Sequence, residues 1–454
     1  MSEIVFNAYE TSLKDFTKRN ILTKFEKMKK IVSAIIITLL ASGTFAQELS
    51  LKKCFSLAEE NHPKAGEKVL LDKSLQTRLK QLDKNFLPQL NLSAQATYQS
   101  DVTKVDASVP GMSLDIPSPD KDQYKATLNL SQTIYDGGIT KTNRQIEKAG
   151  NQIDQQEVKV SLFQVKENIT TTYFSILLLQ QQKAQLRTTR DKLEAKYEKL
   201  QSAVRHGAAL PADTNVMKVE LVKLDNQMQQ LERRRKTAFE VLSELTGKEF
   251  SPKRVLSVPQ YGLPDQTGFT DRPEMEMLSL QQQRIDDYKE LSKRKYYPKV
   301  MAFGTAGYGR PGLNMLSEDF DSYWIVGAKV SWDLWNWNKA DDEQKILSLK
   351  QDILEKEKAS LAKNLSVKLV QKKSEISDYR SQMKDDQKVL ALYKDIVASY
   401  SSKLDNGAIT SSEYIEQLNN QKKAQLEYEL HQIQLEKAKV EYNLTLGNLT
   451  NQSR

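Results

Sequence analysis

Gly307, Gly309 and Gly312 in "GYGRPG" have the spacing of a glycine-rich loop that cradles a dinucleotide pyrophosphate. That chemistry needs the glycines to open a helix after a strand, with a carboxylate about 20 residues on for the ribose. Here Pro311 and "LNMLSEDF" lead into another strand-like pattern, so the site is rejected. Gly-x-Ser-x-Gly and His-Glu-x-x-His are both absent. The three histidines, His62, His206 and His431, are scattered, and Cys54 is the single cysteine. No nucleophile has a base at a family spacing, and no set of ligands has metal spacing. The sequence therefore indicates no enzyme, cofactor or metal.

The residues that stand out chemically are aromatic. All four tryptophans, Trp324, Trp332, Trp335 and Trp337, lie close together, in and just after "YWIVGAKVSWDLW". Indole rings concentrate where a membrane meets water, because the apolar ring and the N–H want different solvents. Around them the pattern has period 2: Trp324, Val326, Ala328, Val330, Trp332 and Leu334 share one face. In "QLNLSAQATY", Leu90, Leu92, Ala94, Ala96 and Tyr98 alternate with Asn91, Ser93, Gln95 and Thr97. "YKATLNLSQTIY" does the same with Ala126, Leu128, Leu130 and Ile134. "KVMAFGTAGYG" alternates poorly and is glycine-rich. Segments of about ten residues with one apolar face fit transmembrane β-strands, and a soluble hairpin half buried against helices is the alternative.

Only one segment is apolar enough to enter a bilayer as a helix. "MKKIVSAIIITLLASGTFA", 28 to 46, has a basic start, an apolar run from Ile31 to Leu40, and Thr44 and Ala46 at cleavage spacing. The run is too short to span a ~30 Å hydrocarbon core, so it reads as a signal peptide with the mature chain starting at Gln47. Residues 1 to 27 precede a signal that has its own methionine, Met28, as a start assigned too early would produce. The 454-residue chain carries 67 Lys/Arg and 59 Asp/Glu, a net +8, and its mean hydropathy is −0.60. Removing 1 to 46 leaves a mixed charged surface, not a nucleic-acid footprint.

The chain is duplicated. Pro63 in "NHPKA" and Pro88 in "NFLPQL" recur 210 residues later as Pro273 in "DRPEM" and Pro298 in "KYYPKV". From Ser131 the offset is 200, matching Ser331, Gly207 with Gly407, and Gly247 with Gly447. The length change falls in the loop between paired strands, where it is tolerated. Each half carries a helix, a strand pair and a long helical hairpin. Val158, Leu162, Val165, Ile169, Tyr173 and Ile176 form a seam within a helix expected from Ile139 to Arg205, and its counterpart is expected from Asn338 to Leu404. Such a helix is ~100 Å long, about three times a bilayer's hydrocarbon core. The hairpins turn at "RHGAALPAD" and "DNGAITSSE", with Pro211 at a first turn and Thr410 with Glu413 as a capping box. The organisation read is an extension and signal peptide (1–46), a first repeat (47–250) with hairpins at 88–135 and 139–246, an extended linker (251–270), and a second repeat (271–454) with hairpins at 298–335 and 338–446.

Four strands cannot enclose a lumen, because the smallest membrane barrels have about eight. The barrel must be shared between chains, and three chains would supply twelve strands. The tryptophans then fall at a membrane interface, with Tyr135 aligned to Trp335 in the same belt.

At this point the sequence resembles the TolC-like outer-membrane efflux proteins. The resemblance covers Gln47 to about Asn451 and rests on "NHP", "DRPE", "FLPQL", "LSQTIYDGG" and the glycine tips. It implies a mainly α protein with β, a homotrimer whose twelve-stranded outer-membrane barrel continues into a periplasmic α-helical tube. It implies docking of a periplasmic adaptor, a membrane fusion protein, on tips formed by His206, Gly207, Ala208, Leu210, Asn406, Gly407, Ala408 and Ile409. An inner-membrane pump, proton-driven or ATP-driven, would supply the energy, and the protein itself would be a passive duct in outer-membrane lipid. Acidic residues six and nine positions after the second tip glycine would narrow the entrance, here Glu413 and Glu416. In the first half Asp213 keeps the sixth position and Val216 departs at the ninth. The competing reading is a soluble periplasmic coiled-coil adaptor or scaffold, which explains the helices but not the strands or aromatic belt.

Overall fold

The computed structural model describes residues 48–104, 108–109, 112–113, 118–264, 268–269, 271–335 and 337–448. The signal peptide expected over 28–46, and the extension before it, lie outside the described residues. The chain forms two units, Met1–Leu49 with Lys253–Val255, and Ser50–Pro252 with Leu256–Arg454. In the first, the Leu49 N–H donates to the Val255 carbonyl at 3.1 Å. All that follows concerns the second.

Helices α1 (Leu51–Asn61) and α2 (Pro63–Asp83) lead into strands β1 (Gln89–Tyr98) and β2 (Asp122–Tyr135). Helices α3 (Ile139–Arg205) and α4 (Pro211–Thr246) form the first long hairpin. Helix α5 (Pro273–Arg294), strands β3 (Lys299–Arg310) and β4 (Asp321–Ser331), and helices α6 (Lys339–Asp405) and α7 (Ser411–Leu446) repeat the plan. Every boundary of the long hairpins moves by 200 residues between halves. The outer helices have 67 residues each and the returning ones 36 each. "GYGRPG" begins within β3, a strand, and so opens no helix.

The four strands form one antiparallel sheet in chain order, β1-β2-β3-β4, with β1 and β4 at its edges. Strand β3 forms despite its weak alternation because glycines in it and in β4 make room for rings across the pair. A methyl at Gly307 would lie 2.3 Å from the Tyr323 ring, and one at Gly327 would lie 2.9 Å from the Phe303 ring. Both rings cover bare backbone, a known way of restoring a glycine-weakened strand.

The α3 seam is buried at Val158, Leu162, Ile169, Tyr173 and Ile176, with Val165 half-buried. Its upstream positions Ile146 and Ile153 are covered too, since α5 packs along α3. The equivalent Ile346 and Ile353 on α6 are exposed, at 54% and 57%. Toward the turns, Leu193, Met217, Leu224, Leu404, Tyr414 and Leu418 join all four long helices in one cluster.

The start of the second repeat is locked by a buried cation. Arg272, only 5% exposed, donates to the Leu444 carbonyl at 3.1 Å and to Glu274 at 2.7 Å, and its guanidinium lies 4.3 Å over the Phe163 ring. Beside it α7 ends at Gly447 in the left-handed region, φ +83°. Gly247 ends α4 the same way against Asn61, so "NHP" and "DRP" serve one purpose: seating a helix terminus on the turn before a proline.

A methyl at Gly447 would stand 2.5 Å from the Asp271 carbonyl carbon, whereas one at Gly207, also left-handed, meets open space. Gly207→Ala should therefore show only the left-handed penalty of about 1 kcal/mol. Gly447→Ala should lower the melting temperature of the detergent-solubilised protein distinctly further. Equal melting temperatures would contradict this packing.

Candidate functional site

The strand register sorts the sheet into two unlike faces. Cross-strand rows Leu90–Leu130–Gly304–Val326 and Leu92–Leu128–Ala306–Trp324 run across one side. Leu90, Leu92, Trp324, Val326 and Val330 are all well exposed there. Among the described strand residues the only charged side chains on this face, Asp122 and Arg310, pair with each other. On the other side the row Asn91–Asn129–Thr305 and the neighbouring Ser93–Thr127 pair form a hydrogen-bonded polar ladder. Ser93 meets Thr127 at 2.8 Å, and the Thr305 hydroxyl donates to Asn129 at 2.9 Å. Exposed leucine and valine on one face and a satisfied polar network on the other suit a lipid-facing and a water-facing side respectively.

The expected belt residues all reach the surface. Trp324, Trp332, Trp335 and Trp337 are strongly exposed and Tyr135 less so. Tyr135 would fall on the polar side by simple alternation. A β-bulge between Thr133 and Tyr135 sets it opposite Val300, in an apolar row. The Trp332 indole donates to the Tyr296 carbonyl at 3.1 Å, and Trp335 and Trp337 meet edge to face at 5.7 Å. At the strand-to-helix junction Gly137 and Gly138 take positive φ in the first half, and Trp337 and Asn338 take it in the second. A left-handed tryptophan costs about 1–2 kcal/mol relative to glycine, and sequence alignment alone gave no sign that the junction conformation persists without glycine.

At the opposite end the hairpins turn through Gly207 and Gly407, φ +70° and +69°. His206, Gly207, Ala208, Leu210, Asn406, Gly407 and Ala408 are exposed, while Ile409 is half-buried against the tip cluster. The Ala208 and Ala408 N–H groups close matching turns on Ala203 and Lys403 at 2.8 and 2.9 Å.

The acidic residues here do different things. Glu413 completes the capping box, accepting from the Thr410 N–H at 2.8 Å and hydroxyl at 2.9 Å. Those bonds hold its carboxyl below the ordinary value. Asp213 accepts from the Ser411 N–H at 3.1 Å, joining the two returning helices. Glu416 lines a groove between α4 and α7 with Val216, Val219 and Glu220. Ties that sequence reasoning missed lie nearby. Lys196 on α3 holds Asp405 on α6 at 2.6 Å, Asn419 donates to Glu220 at 3.2 Å, and Arg190 pairs with Asp225 at 2.8 Å. Lysines and aspartates on charged helix faces carry no spacing that marks them, so only the packing reveals these pairs. Burial pushes the Tyr414 phenol up and the Lys422 ammonium down.

The fold thus pairs a two-faced sheet with helices of ~100 Å. Residues 55–248 match the family described as outer membrane efflux protein. No curated protein matches the chain in sequence. Among solved structures, the channel-forming CusC is 13% identical with a TM-score of 0.65, covering 88% of this chain and 93% of its own. The Vibrio cholerae outer membrane protein VceC is 13% identical, TM-score 0.61, over 88% and 96%. The Campylobacter jejuni CmeC outer membrane channel is 15% identical, TM-score 0.62, over 89% and 87%. Residues 55–248 thus resemble the outer membrane efflux protein family, and most of the chain shares the fold of these solved outer membrane channels.

Because the Thr410 N–H and hydroxyl hold the Glu413 carboxyl below the ordinary glutamate range in the folded chain, its capping contribution is present above that range and lost as pH falls through the lowered one. Amide exchange at the start of α7 should quicken across that acid range, and Glu413→Gln should remove this pH dependence. A wild-type profile shared by the variant would detach Glu413 from the cap.

Proposed function

We propose that three copies close into one exit duct, a twelve-stranded barrel continued by a helical tube, which carries cargo across the periplasm and outer membrane. The observation that carries this reading is that the second repeat leaves exposed what the first covers. In the first repeat α3 lies between α2 and α5. In the second, α6 has α5 on one side only, leaving Ile346, Leu349 and Ile353 bare. Helix α2 in turn exposes Val69 and Leu70 on its free side. A neighbouring copy that sets its α2 on α6 repeats the α2–α3–α5 arrangement, and the same step pairs its β1 with β4. This is a head-to-tail contact, which generates a ring when the rotation closes. The 47–250 and 271–454 segments are then two near-equivalent sixths of the tube.

The duct works as the end of a tripartite assembly. A periplasmic adaptor sits on the exposed tips around Gly207 and Gly407, and an inner-membrane pump, proton-driven or ATP-driven, loads it. Glu413, Glu416 and Asp213 form the acidic entrance, where converging carboxylates attract cations. A soluble adaptor is disfavoured because it has no use for a sheet with exposed Leu92, Trp324 and Val326 on one face.

Crosslinking in cells should trap a trimer from Ile353→Cys paired with Val69→Cys, in a Cys54→Ala background since Cys54 is buried. A protein that stays monomeric and extracts without detergent would end the duct reading. In planar bilayers Glu413→Gln with Glu416→Gln should reduce cation preference several-fold, and unaltered reversal potentials would remove these residues from the entrance. A tip cysteine at Ala408 should capture an adaptor, and the pump that comes with it identifies the transport class.

A further inference from the structure

We propose that the water-facing side of the sheet is a selective surface for amphipathic organic anions. The inference rests on the duct reading, which makes that side the barrel lumen. The charged residues that the register places on this face are Lys125 on β2, Lys299 on β3, and Lys329 and Asp321 on β4. Asp321 shares the Gly309 row with Lys125 at the loop end of the sheet, and among the described residues no carboxylate is ion-paired with any of the three lysines. The opposite face, by contrast, neutralises its only charges as the Asp122–Arg310 pair. Basic side chains in a narrow passage with low-dielectric walls concentrate anions.

The apolar groups on the same face are equally uneven. The β1–β2 half is polar, with Asn91, Ser93, Thr127 and Asn129 in or beside the hydrogen-bonded ladder. The β3–β4 half presents Met301, Phe303 and Ile325, all exposed. Register puts Met301 opposite Lys329, Phe303 opposite Gly327, and Ile325 opposite Thr305. The Phe303 ring lies over Gly327 and the Tyr323 ring over Gly307, so both rest against the backbone with a side turned outward. Lys125 stands 5.5 Å from the centre of the Tyr323 ring. A strip of thioether, ring and branched alkyl flanked above and below by lysines is complementary to a molecule with an aromatic body and an anionic head. A lumen built only to be wet would have no reason to expose Met301, Phe303 and Ile325 to water.

The test uses the full chain in planar bilayers, with probes added on the side of the strand-connecting loops: naphthalene-2-sulfonate, inorganic sulfate, and trimethyl(2-naphthyl)ammonium. The sulfonate should block current at lower concentration than sulfate, and the naphthyl cation should not block. Lys125→Gln with Lys299→Gln and Lys329→Gln should raise the half-blocking sulfonate concentration roughly tenfold, as loss of partly screened charge attraction predicts. Lys329→Gln alone shifts it in the same direction and serves if the triple variant fails to insert. Phe303→Ala should bring sulfonate down to the level of sulfate and leave sulfate unaffected. Intact conductance with block unchanged in the lysine variants, or block by the naphthyl cation equal to that by the sulfonate, overturns the inference while leaving the duct standing. A wild-type protein that forms no channel removes the duct reading, and this one with it.

Discussion

In hydrocarbon every backbone N–H and C=O must find a partner within the protein. Strands β1 and β4 each offer an unpaired edge, and that single constraint organises the molecule. A lone sheet of four strands cannot enter a bilayer with both edges bare, so in the proposed duct insertion and association are one event. In that duct the exposed leucines, valines and Trp324 give the sheet reason to leave water, and edge pairing lets it stay in the membrane. The helices follow from the same step: whatever rotation brings one copy's β1 to another's β4 must also bring together the helices rooted at those strands.

The duplicated sequence meets this demand through near-equivalence. Described residues of the linker are tied to the long helices: the Tyr173 hydroxyl donates to the Ser257 carbonyl at 2.7 Å and the Asn443 amide to the Gly262 carbonyl at 2.9 Å. Helix α5 packs on α3, so one repeat-to-repeat contact forms inside the chain. The equivalent surface on α6 is exposed among the described residues. Ile146 and Ile346 occupy one position in the repeat, yet one is core and the other surface, because burial here depends on which contact is covalently supplied.

Much of this was legible in the sequence because period and punctuation are local signals. The seam from Val158 to Ile176, the tip glycines and the Thr410–Glu413 box each announce an element and its end, and the structure places helix limits at those marks. The strands of the first repeat and β4 were readable from alternation. Strand β3 was not, since its pattern depends on rings contributed by residues it does not contain, Tyr323 over Gly307 above all. The Tyr135 bulge escaped because a bulge breaks the very periodicity used to read a strand. Lys196 with Asp405, and Arg272 with Leu444, join positions far apart in sequence. Nothing in their immediate neighbourhood distinguishes them from the solvated charges around them.

The equal lengths of the paired helices carry a mechanical meaning. Each residue added to a helix advances it 1.5 Å and turns it 100°. A single insertion in α6 but not α3 would thus leave one tip both too high and facing the wrong way. With 67 residues outward in both halves, the tips of both repeats fall at one height and one rotational phase. A rim made this way is level, so a partner that grips it meets repeated copies of a single handhold, and the register of that grip is written in the residue count of the helices themselves.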